Sequence, residues 1–411
     1  MKILFIFLLL ISSSLSQDIF VDPEEKNLYR SAVEYSFDEI LDNGAYTFSL
    51  ENLSGLITIT GHAGSGSHLI VDNRVHAVSN KNAIAILKSS QINVYHDKNK
   101  KTISIKKISE RYDHKIVTTI NLHIPINTNL QGFVKNGDVQ ISNLRGSVDL
   151  KTESVDAKLI NSSGNIVFNT KGGNLDIEKT KGTIKLNMIS GNINLAQCEG
   201  DIFTSSENGN IKLSNIKGTI ISSTTLGDTE ISSFDGTNGS FNINVGSLKI
   251  NHCNADLRAN IDIGDIIINE IKGNVELFTG KGQIDMNNIT GSTTCNSNFG
   301  NISGNNLFGS IIANSELGDL KINKAYNSFL ADHKIDLRTN RGSVSLRIPS
   351  DLPYYIQVHC DNLNSKDAIT SETPLDERTY PTKVMAEGKI KSGTINCEIY
   401  SNYGPISIKT N

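Results

Sequence analysis

Five cysteines carry the most reactive side chains of this chain, and their spacing limits what they can do. Cys198 and Cys253 occupy equivalent positions of a repeat, three repeats apart, which corresponds to roughly 14 Å and exceeds disulfide reach. We interpret these two and Cys295 as small core residues. Cys360 and Cys397 alternate with apolar neighbours, and the sequence leaves open whether they pair or stay buried thiols.

Acidic and amide residues recur directly after glycines, where they could ligate calcium. A nine-residue calcium repeat needs tandem Gly-Gly-x-Gly-x-Asp, so that paired turns surround each ion with oxygens. The second glycine and the second carboxylate are missing here, so we interpret the column as turn-stabilising residues and predict no metal and no cofactor. The column runs Asp138, Asp156, Asn174, Asn192, Asn210, Asp228, Ser247, Asp265, Gln283, Asn301, Asp319.

A polysaccharide-cleaving enzyme would need paired carboxylates on one outward face. The outward column of this chain alternates or separates its charges, which indicates charge compensation between neighbouring strands. We predict no catalytic residues and keep the polysaccharide-active enzyme as an alternative hypothesis. The column runs Asp176, Asn194, Lys212, Glu230, Lys249, Ile267, Asp285, Ser303, Lys321.

Two further stretches of the sequence are better explained by structure than by a functional site. The stretch 61–72 lacks both a phosphate-loop Gly-Lys-Ser/Thr and a Gly-x-Ser-x-Gly elbow, so we predict a hairpin connection. The basic stretch 96–115 offers few aromatic faces and favours lysines that protect an edge strand over a nucleic-acid site.

Asn-x-Ser/Thr sequons matter only in a eukaryotic secretory pathway. They begin at Asn52, Asn161, Asn238, Asn288 and Asn301.

A nine-residue repeat must position these side chains. Glycine returns at this interval from Gly137 onwards, the frame shifts by one residue before Gly246, and six residues, 327–332, are inserted before the last two units. In each unit the third and fifth residues are apolar and the fourth is usually polar, which predicts a short half-buried strand. The glycine and its polar follower supply the turn.

Alternate units differ, so the structural repeat is eighteen residues long. Stacking at the strand spacing of about 4.8 Å would place like residues over like residues and form interior ladders. We predict an all-β fold, a two-sided β-solenoid (β-helix), in preference to a β-sandwich. The fifth positions of one side run Ile141, Leu159, Ile177, Leu195, Leu213, Ile231, Ile250, Ile268, Met286, Gly304, Ile322. The eighth positions run Leu144, Ser162, Thr180, Cys198, Ile216, Phe234, Cys253, Ile271, Ile289, Leu307, Ala325.

The start of the chain predicts export. Residues 1–16 combine Lys2, a short apolar run and small residues, which is typical of a secretory signal peptide and too short to span a bilayer. The net charge of −4 favours neither nucleic acid nor an anionic membrane as a partner. We predict a secreted protein, in the extracellular space, at the cell surface or in the periplasm, without a membrane span.

The regular repeat is flanked by less regular β sequence, as the ends of a solenoid require. We predict an N-terminal β cap over 17–136, repeats over 137–349 and a C-terminal β cap over 350–411. The stretches "FSLENLSGLITITG", "GNIKLSNIKG", "DLRTNRGSVSLRIPSDLPYYIQVHC" and "SNYGPISIK" resemble the DUF4097-type putative adhesin family. The resemblance covers nearly all of the mature chain, although the repeat here is longer and more regular.

The resemblance implies an adhesin-like, non-enzymatic surface protein, since its motifs are structural rather than catalytic. We therefore predict that the strand ladders bind glycans or surface proteins through many weak contacts. The sequence names neither the ligand, nor the type of organism, nor the oligomeric state. A purely structural envelope or matrix component is the other alternative, next to the enzyme.

Overall fold

The computed structural model describes residues 19–21, 25, 27–109, 111–327, 329–330, 332–361 and 368–410. The predicted signal peptide, 1–16, lies outside these residues. The described chain is almost entirely β, in agreement with the predicted fold class, with one α-helix among its strands. Its contacts divide it into two units, one up to Leu144 and one from Arg145.

The first unit contains eight strands, one α-helix and a 3-10 turn within the described residues. Strands β2, β4 and β7 pair antiparallel, while β3 pairs in parallel with β6, β7 and β8. Strand β5 pairs antiparallel with β6, and β1 with β2. The bounds are β1 Ile19–Val21, β2 Leu28–Phe37, β3 Thr47–His62, β4 Ser67–His76, α1 Asn80–Ser89, β5 Ile92–Asp97, β6 Thr102–Lys107, 3-10 Asp113–Lys115, β7 Ile116–Pro125 and β8 Asn129–Ser142.

Helix α1 was not predicted from the sequence. Its N-cap is Ser79, whose hydroxyl accepts a hydrogen bond from the backbone N–H of Asn82. Ala83, Ile86 and Leu87 lie three to four residues apart and are buried on one face. The helix packs this face on a small cluster that includes Val75 of β4. The helix has only three apolar residues at helical spacing. The alternating sequence on both sides of it favoured strands.

The second unit contains twenty-four strands in the described residues. They are β9 Val148–Ile160, β10 Ser163–Gly172, β11 Leu175–Glu178, β12 Lys181–Ser190, β13 Ile193–Ala196, β14 Glu199–Asn208, β15 Ile211–Leu226, β16 Thr229–Val245, β17 Leu248–Ile263, β18 Ile266–Ile271, β19 Val275–Lys281, β20 Ile284–Ile289, β21 Thr293–Phe299, β22 Ile302–Leu307, β23 Ile311–Ser315, β24 Leu320–Lys324, β25 Ile335–Thr339, β26 Val344–Ile348, β27 Tyr354–Cys360, β28 Ile369–Ser371, β29 Asp376–Thr379, β30 Val384–Lys389, β31 Ile395–Ser401 and β32 Ile406–Thr410.

These strands pair in parallel at an interval of eighteen residues. Ile166 pairs with Ile184, and Ile184 pairs with Ile202 in the next strand. The same interval holds on the other side of the repeat, where Ile193 pairs with Ile211. Each layer of the repeat therefore consists of eighteen residues, and equivalent side chains form continuous columns.

Two irregularities in the glycine spacing become visible in the pairing. Gly218 pairs with Gly236, but Thr219 pairs with Asn238, so Thr237 is the extra residue that shifts the frame. Farther along, Ile311 pairs with Ile335 at an interval of twenty-four residues, which accommodates the six-residue insertion. Thr237 lies within strand β16 as a bulge, whereas the six inserted residues fall between β24 and β25; the pairing continues on either side of both.

The C-terminal strands continue the columns in an unexpected order. Strand β31 pairs in parallel with β25 on one side and with β27 on the other, although β27 precedes it in the chain. Strand β32 likewise lies between β26 and β28. The final stretch of the chain therefore inserts between two layers that form earlier in the sequence, and the antiparallel pair β29–β30 extends β27.

The predicted interior columns are buried, with one correction. Ile231, Ile250 and Ile268 of the fifth-position column are all almost completely inaccessible. At the end of the eighth-position column, however, Leu307 pairs with Lys324 instead of Ala325. The register shift after Gly304 turns the Lys324 side chain inwards, where it is 1% exposed. The assignment of Ala325 to this interior column was therefore wrong.

Candidate binding surface

Two concave surfaces lie on the second unit. The first, here called the middle groove, has a volume of about 440 Å³ and crosses four layers of the repeat. The second, here called the C-terminal groove, has a volume of about 420 Å³ and reaches the inserted strand β31. Both are open, and both are lined by columns of side chains that repeat from layer to layer.

The middle groove follows a column of residues with left-handed backbone conformation. Such residues turn the chain, so that the outward columns on either side face one another across a concave strip. Sequence analysis did not identify this column, although its frequent asparagines are the residues that tolerate this conformation best. The column, with φ between 51° and 63°, runs Asn161, Lys179, Gln197, Asn215, Ser233, His252, Glu270, Asn288 and Asn306.

Polar side chains of neighbouring layers contact one another in the middle groove. His252 Nε2 lies 2.9 Å from the Glu270 carboxylate of the next layer. The Asn254 amide donates to Asp235 at 3.0 Å. Below them Cys253 is buried, and this burial raises the pKa of its thiol to about 12. The thiol therefore stays protonated at neutral pH and is not a nucleophile.

Amide side chains dominate the C-terminal groove. The Asn314 amide donates to Asn296 Oδ1 at 2.8 Å, and the Asn402 amide donates to Asn340 Oδ1 at 2.7 Å. Each amide has two N–H donors and an oxygen with two lone pairs, so every member of these ladders keeps capacity for further hydrogen bonds. Tyr400 adds an aromatic ring to the same surface. This combination of amides and an aromatic ring can bind hydroxyl-rich or peptide-like ligands.

Charges at the C-terminal groove are compensated within the surface. Arg338 Nε donates to Asp336 at 2.8 Å, and this hydrogen bond is the main reason that the pKa of Arg338 is raised. The hydroxyl of Tyr400 donates to Asp361 at 2.9 Å, which raises the pKa of Tyr400. The groove therefore presents no strong net charge and favours polar, uncharged ligand groups.

The column after the glycines forms hydrogen bonds along the stack. Most of the side-chain oxygens accept the backbone N–H of the equivalent residue one layer on, as Asn192 does for Asn210 and Asn210 does for Asp228. The same bond links Asp228 to Ser247 and Asp265 to Gln283. These residues cap the turns, as the turn-stabilising interpretation predicted. No group of three or more histidine, cysteine or acidic side chains within the described ranges is arranged to hold a metal ion.

Removing one of these caps is expected to destabilise the second unit modestly. Asn210→Ala leaves the N–H of Asp228 without its side-chain acceptor, and we expect a loss of about 1 kcal/mol in the free energy of unfolding. Asn194→Ala is the matched control, because the Asn194 amide bonds only the exposed Asp176 side chain. Urea denaturation measures both, and an equal loss in the two variants would contradict the role of the cap.

The outward carboxylate column behaves as a compensated surface. Lys212 lies 3.7 Å from Glu230 in the next layer, and the Asn194 amide donates to Asp176 at 2.7 Å. Asp285 has a raised pKa, caused mainly by burial and secondarily by the nearby Asp265 carboxylate. Asp265 also accepts the backbone N–H of Gln283, so it belongs to the column of turn-stabilising residues.

All five cysteines are buried, and none of them forms a disulfide. Cys397 pairs across the sheet with Ile356, whereas Cys360 pairs with Ser401. The two cysteines therefore lie four residues apart along neighbouring strands, which is too far for a disulfide. Of the two possibilities that the sequence left open, the structure shows the buried thiols. Burial raises the pKa of Cys397 and of Cys295.

The predicted hairpin at 61–72 is wrong. Strands β3 and β4, which flank the loop, do not pair with each other; each pairs with β7, β3 in parallel and β4 antiparallel. The loop therefore crosses from one side of β7 to the other. Its histidine at position 68 contacts Glu34 at 2.7 Å rather than a serine in the loop that could act as a nucleophile.

The basic segment lies on the β5–β6 hairpin and the turn that follows it. Lys98 and His96 both contact Glu39, at 2.8 Å and 3.1 Å, and Lys106 contacts Glu51 at 3.3 Å. These carboxylates neutralise part of the positive charge that a polyanion would need. Strand β5 pairs with β6 alone, which is the position of an edge strand that lysines protect from aggregation.

The sequons differ in accessibility. Asn52, Asn161, Asn238 and Asn301 are exposed, whereas Asn288 is half-buried in the lining of the middle groove. Among the helices of the described residues, none has the length and apolar character of a membrane-spanning segment.

Comparison with known proteins identified three similar solved chains, including the following two. A putative cell adhesion protein from Clostridium sporogenes is 10% identical, with a TM-score of 0.15, and the match covers 92% of this chain and 100% of that one. A putative adhesin from Bacteroides fragilis is 15% identical, with a TM-score of 0.25, covering 71% of this chain and 96% of that one. No family model and no curated protein matches the chain. Identities and TM-scores this low assign neither a fold nor a function.

Proposed function

We propose that this protein is a secreted or cell-surface, non-enzymatic β-solenoid that acts as an adhesin. The proposal includes a signal peptide at 1–16, an N-terminal β cap over 17–136, solenoid repeats over 137–349 and a C-terminal β cap over 350–411. Its partners would be glycans or surface proteins. The assignment as an adhesin of the DUF4097 type comes from the sequence resemblance described above.

The observation that carries the proposal is the register of the parallel strands. Because equivalent residues pair at an eighteen-residue interval, polar side chains recur along the surface at the strand spacing of about 4.8 Å. A polymeric ligand can contact several layers at once, and each additional contact then forms at a high effective concentration. Weak contacts thereby add up to useful affinity without a deep pocket.

The two grooves are the surfaces on which we place this binding. The amide ladders of the C-terminal groove offer hydrogen bonds to hydroxyl and amide groups, and Tyr400 offers an apolar face to a sugar ring. The middle groove is lined by polar columns that lie over the buried Phe234 and Ile271. The two carboxylates that line the middle groove, Asp235 and Glu270, contact the Asn254 amide and His252.

The test incubates the mature chain with insoluble polysaccharides and host-surface glycans, and measures bound protein and released reducing ends in the same tubes. We expect binding without release. Release above the blank would identify an enzyme and overturn the proposal. Absence of binding to every glycan and surface-protein preparation would instead favour a structural component of the envelope or matrix.

Variants in the two grooves test whether the binding is multivalent. We expect Asn254→Ala and Asn314→Ala each to weaken binding by about 3-fold to 10-fold, and their effects to multiply in the double variant. The control is Arg258→Ala, which removes an exposed charge outside both grooves. Complete loss of binding in one single variant would show a single site and contradict multivalency.

A further inference from the structure

A column of exposed apolar side chains runs along one corner of the second unit. Its members directly precede the corner glycines and pair with one another from layer to layer. Five of the six are apolar and between 39% and 52% exposed. We call this column the corner ladder; it consists of Leu226, Val245, Ile263, Lys281, Phe299 and Leu317.

The corner ladder is bounded at both ends by polar residues. Asn208 precedes Leu226 in the column, and Arg341 follows Leu317. Scattered apolar residues on a surface need no explanation, but a contiguous apolar column usually marks an interaction site. The side chains contribute nothing to the interior, since the inward columns of the same strands are already filled by buried residues such as Ile243 and Ile261.

We propose that the corner ladder is the contact surface between two copies of this chain. The copies would lie antiparallel, related by a twofold axis that crosses the ladder between Ile263 and Lys281. A twofold contact is self-complementary, because each residue meets the same partner in both directions. Counting outward from the axis, Ile263 meets Lys281, Val245 meets Phe299, and Leu226 meets Leu317.

The side-chain sizes fit this arrangement. The smallest apolar member, Val245, lies opposite the largest, Phe299, while the two leucines face each other at the ends. Large and small residues alternate across the contact in the way that closely packed apolar surfaces require.

The charges fit it as well. Lys281 is the single cation inside the ladder, and on the second copy it meets Ile263, whose chain neighbour Asp262 is exposed. Arg341, at the end of the ladder, meets Asn208 of the second copy, whose neighbour Glu207 is exposed. Both cations of the column are thus placed next to an acid of the other copy, twice in each dimer because of the symmetry.

The surface suits a weak dimer. The ladder provides a mainly apolar strip about 24 Å long with polar columns as the rim, but Lys281 of each copy lies next to the twofold axis at its centre. The rim also brings Asp228 of one copy towards Asp319 of the other, and this repulsion lowers the affinity. We therefore expect a dissociation constant on the order of micromolar.

The test is sedimentation velocity of the mature chain from about 1 to about 200 µM. We expect a monomer–dimer equilibrium that Val245→Asp and Phe299→Asp each shift by at least about 10-fold towards monomer. The matched control is Ile312→Asp, at a strand position that is 37% exposed but outside the ladder, which we expect to leave the equilibrium unchanged. Circular dichroism checks that every variant keeps its β structure.

A charge exchange tests the antiparallel register. Lys281→Asp and Asp262→Lys should each weaken the dimer, and the double variant should restore it, because the exchanged charges meet again across the axis. A chain that stays monomeric over the whole range would overturn the proposal. So would a dimer that is insensitive to both ladder variants, or a monomer whose ladder variants instead lose binding to lipid vesicles or polysaccharide.

Discussion

Replacing Gly209 with alanine is expected to destabilise the second unit by at least about 3 kcal/mol. The backbone of Gly209 has φ of +146°, and a Cβ atom there would lie 1.7 Å from the carbonyl oxygen of Gly191 in the preceding layer. Two backbones approach each other at this corner in every layer, so the strand spacing itself leaves no room for a side chain. Chemical denaturation followed by circular dichroism measures the loss.

The control for Gly209 is Gly393→Ala in the same unit. Gly393 has φ of +64°, but a Cβ atom there would meet only the flexible side chain of Lys389. Gly393→Ala should therefore lose only about 1 kcal/mol in the free energy of unfolding, which is the cost of backbone strain alone. If both variants lose the same amount, the close approach of the backbones is not what requires glycine at the corner.

Replacing Lys324 with methionine is expected to stabilise the protein at pH 6 by about 3 kcal/mol. Lys324 is buried in a column of apolar residues, and its ammonium donates to the carbonyl oxygens of Phe308 and Gly309. Burial lowers the pKa of this group to about 7, against which the opposite charge of Asp332 acts only weakly. Methionine has a similar shape and no charge to desolvate.

The stability gained by Lys324→Met depends on pH and is largest at low pH. Below pH 7 both the folded and the unfolded chain carry a protonated Lys324, so the folded state bears the full cost of burying the charge. Between pH 7 and pH 10.5 the unfolded chain binds the proton that the folded chain has lost, so stability rises with pH. The advantage of Lys324→Met should therefore shrink to below about 1 kcal/mol at pH 10.

Other groups around Lys324 also titrate, which is why a control is needed. His333 lies beside it, with its ring 3.1 Å from the Phe308 carbonyl oxygen, and burial lowers the pKa of His333. The hydroxyl of Tyr354 donates to the His333 carbonyl, and burial raises the pKa of Tyr354. Lys321→Met, on the exposed face of the same strand, should leave stability almost unchanged at both pH values. An equal gain in the free energy of unfolding in both variants would contradict the cost that we assign to burying the charge of Lys324.

The periodicity of the chain predicted much of the second unit. Alternation within each nine-residue unit predicted the strands, and the difference between neighbouring units predicted the eighteen-residue interval at which Ile166 and Ile184 pair. The column after the glycines does stabilise the turns, but its side chains accept backbone N–H groups of the next layer, eighteen residues on, and not those of nearby residues. The strands, the turns and the repeat length each depend on residue types within one or two repeats. The order of residues therefore predicts them.

Features that depend on long-range pairing were missed or misassigned. The loop after β3 was taken for a hairpin, because short-range turn signals do not reveal that β7 pairs between the flanking strands. The repeat pattern predicts Ala325 in the interior column, but a register shift in the pairing with the preceding layer turns Lys324 inwards instead. The insertion of β31 between β25 and β27 has no signal in the order of residues at all.

By itself, the sequence determined the strand content, the length of the repeat, the positions of its glycines and the residues that fill its interior columns. Each of these follows from steric limits and side-chain burial that act within one or two repeats. Only the tertiary structure decided which side chains meet between layers, and hence the grooves, the absence of a disulfide between Cys360 and Cys397, the buried Lys324 and the corner ladder. These arise because stacking brings together residues eighteen or more positions apart, and no local preference of the chain encodes that distance.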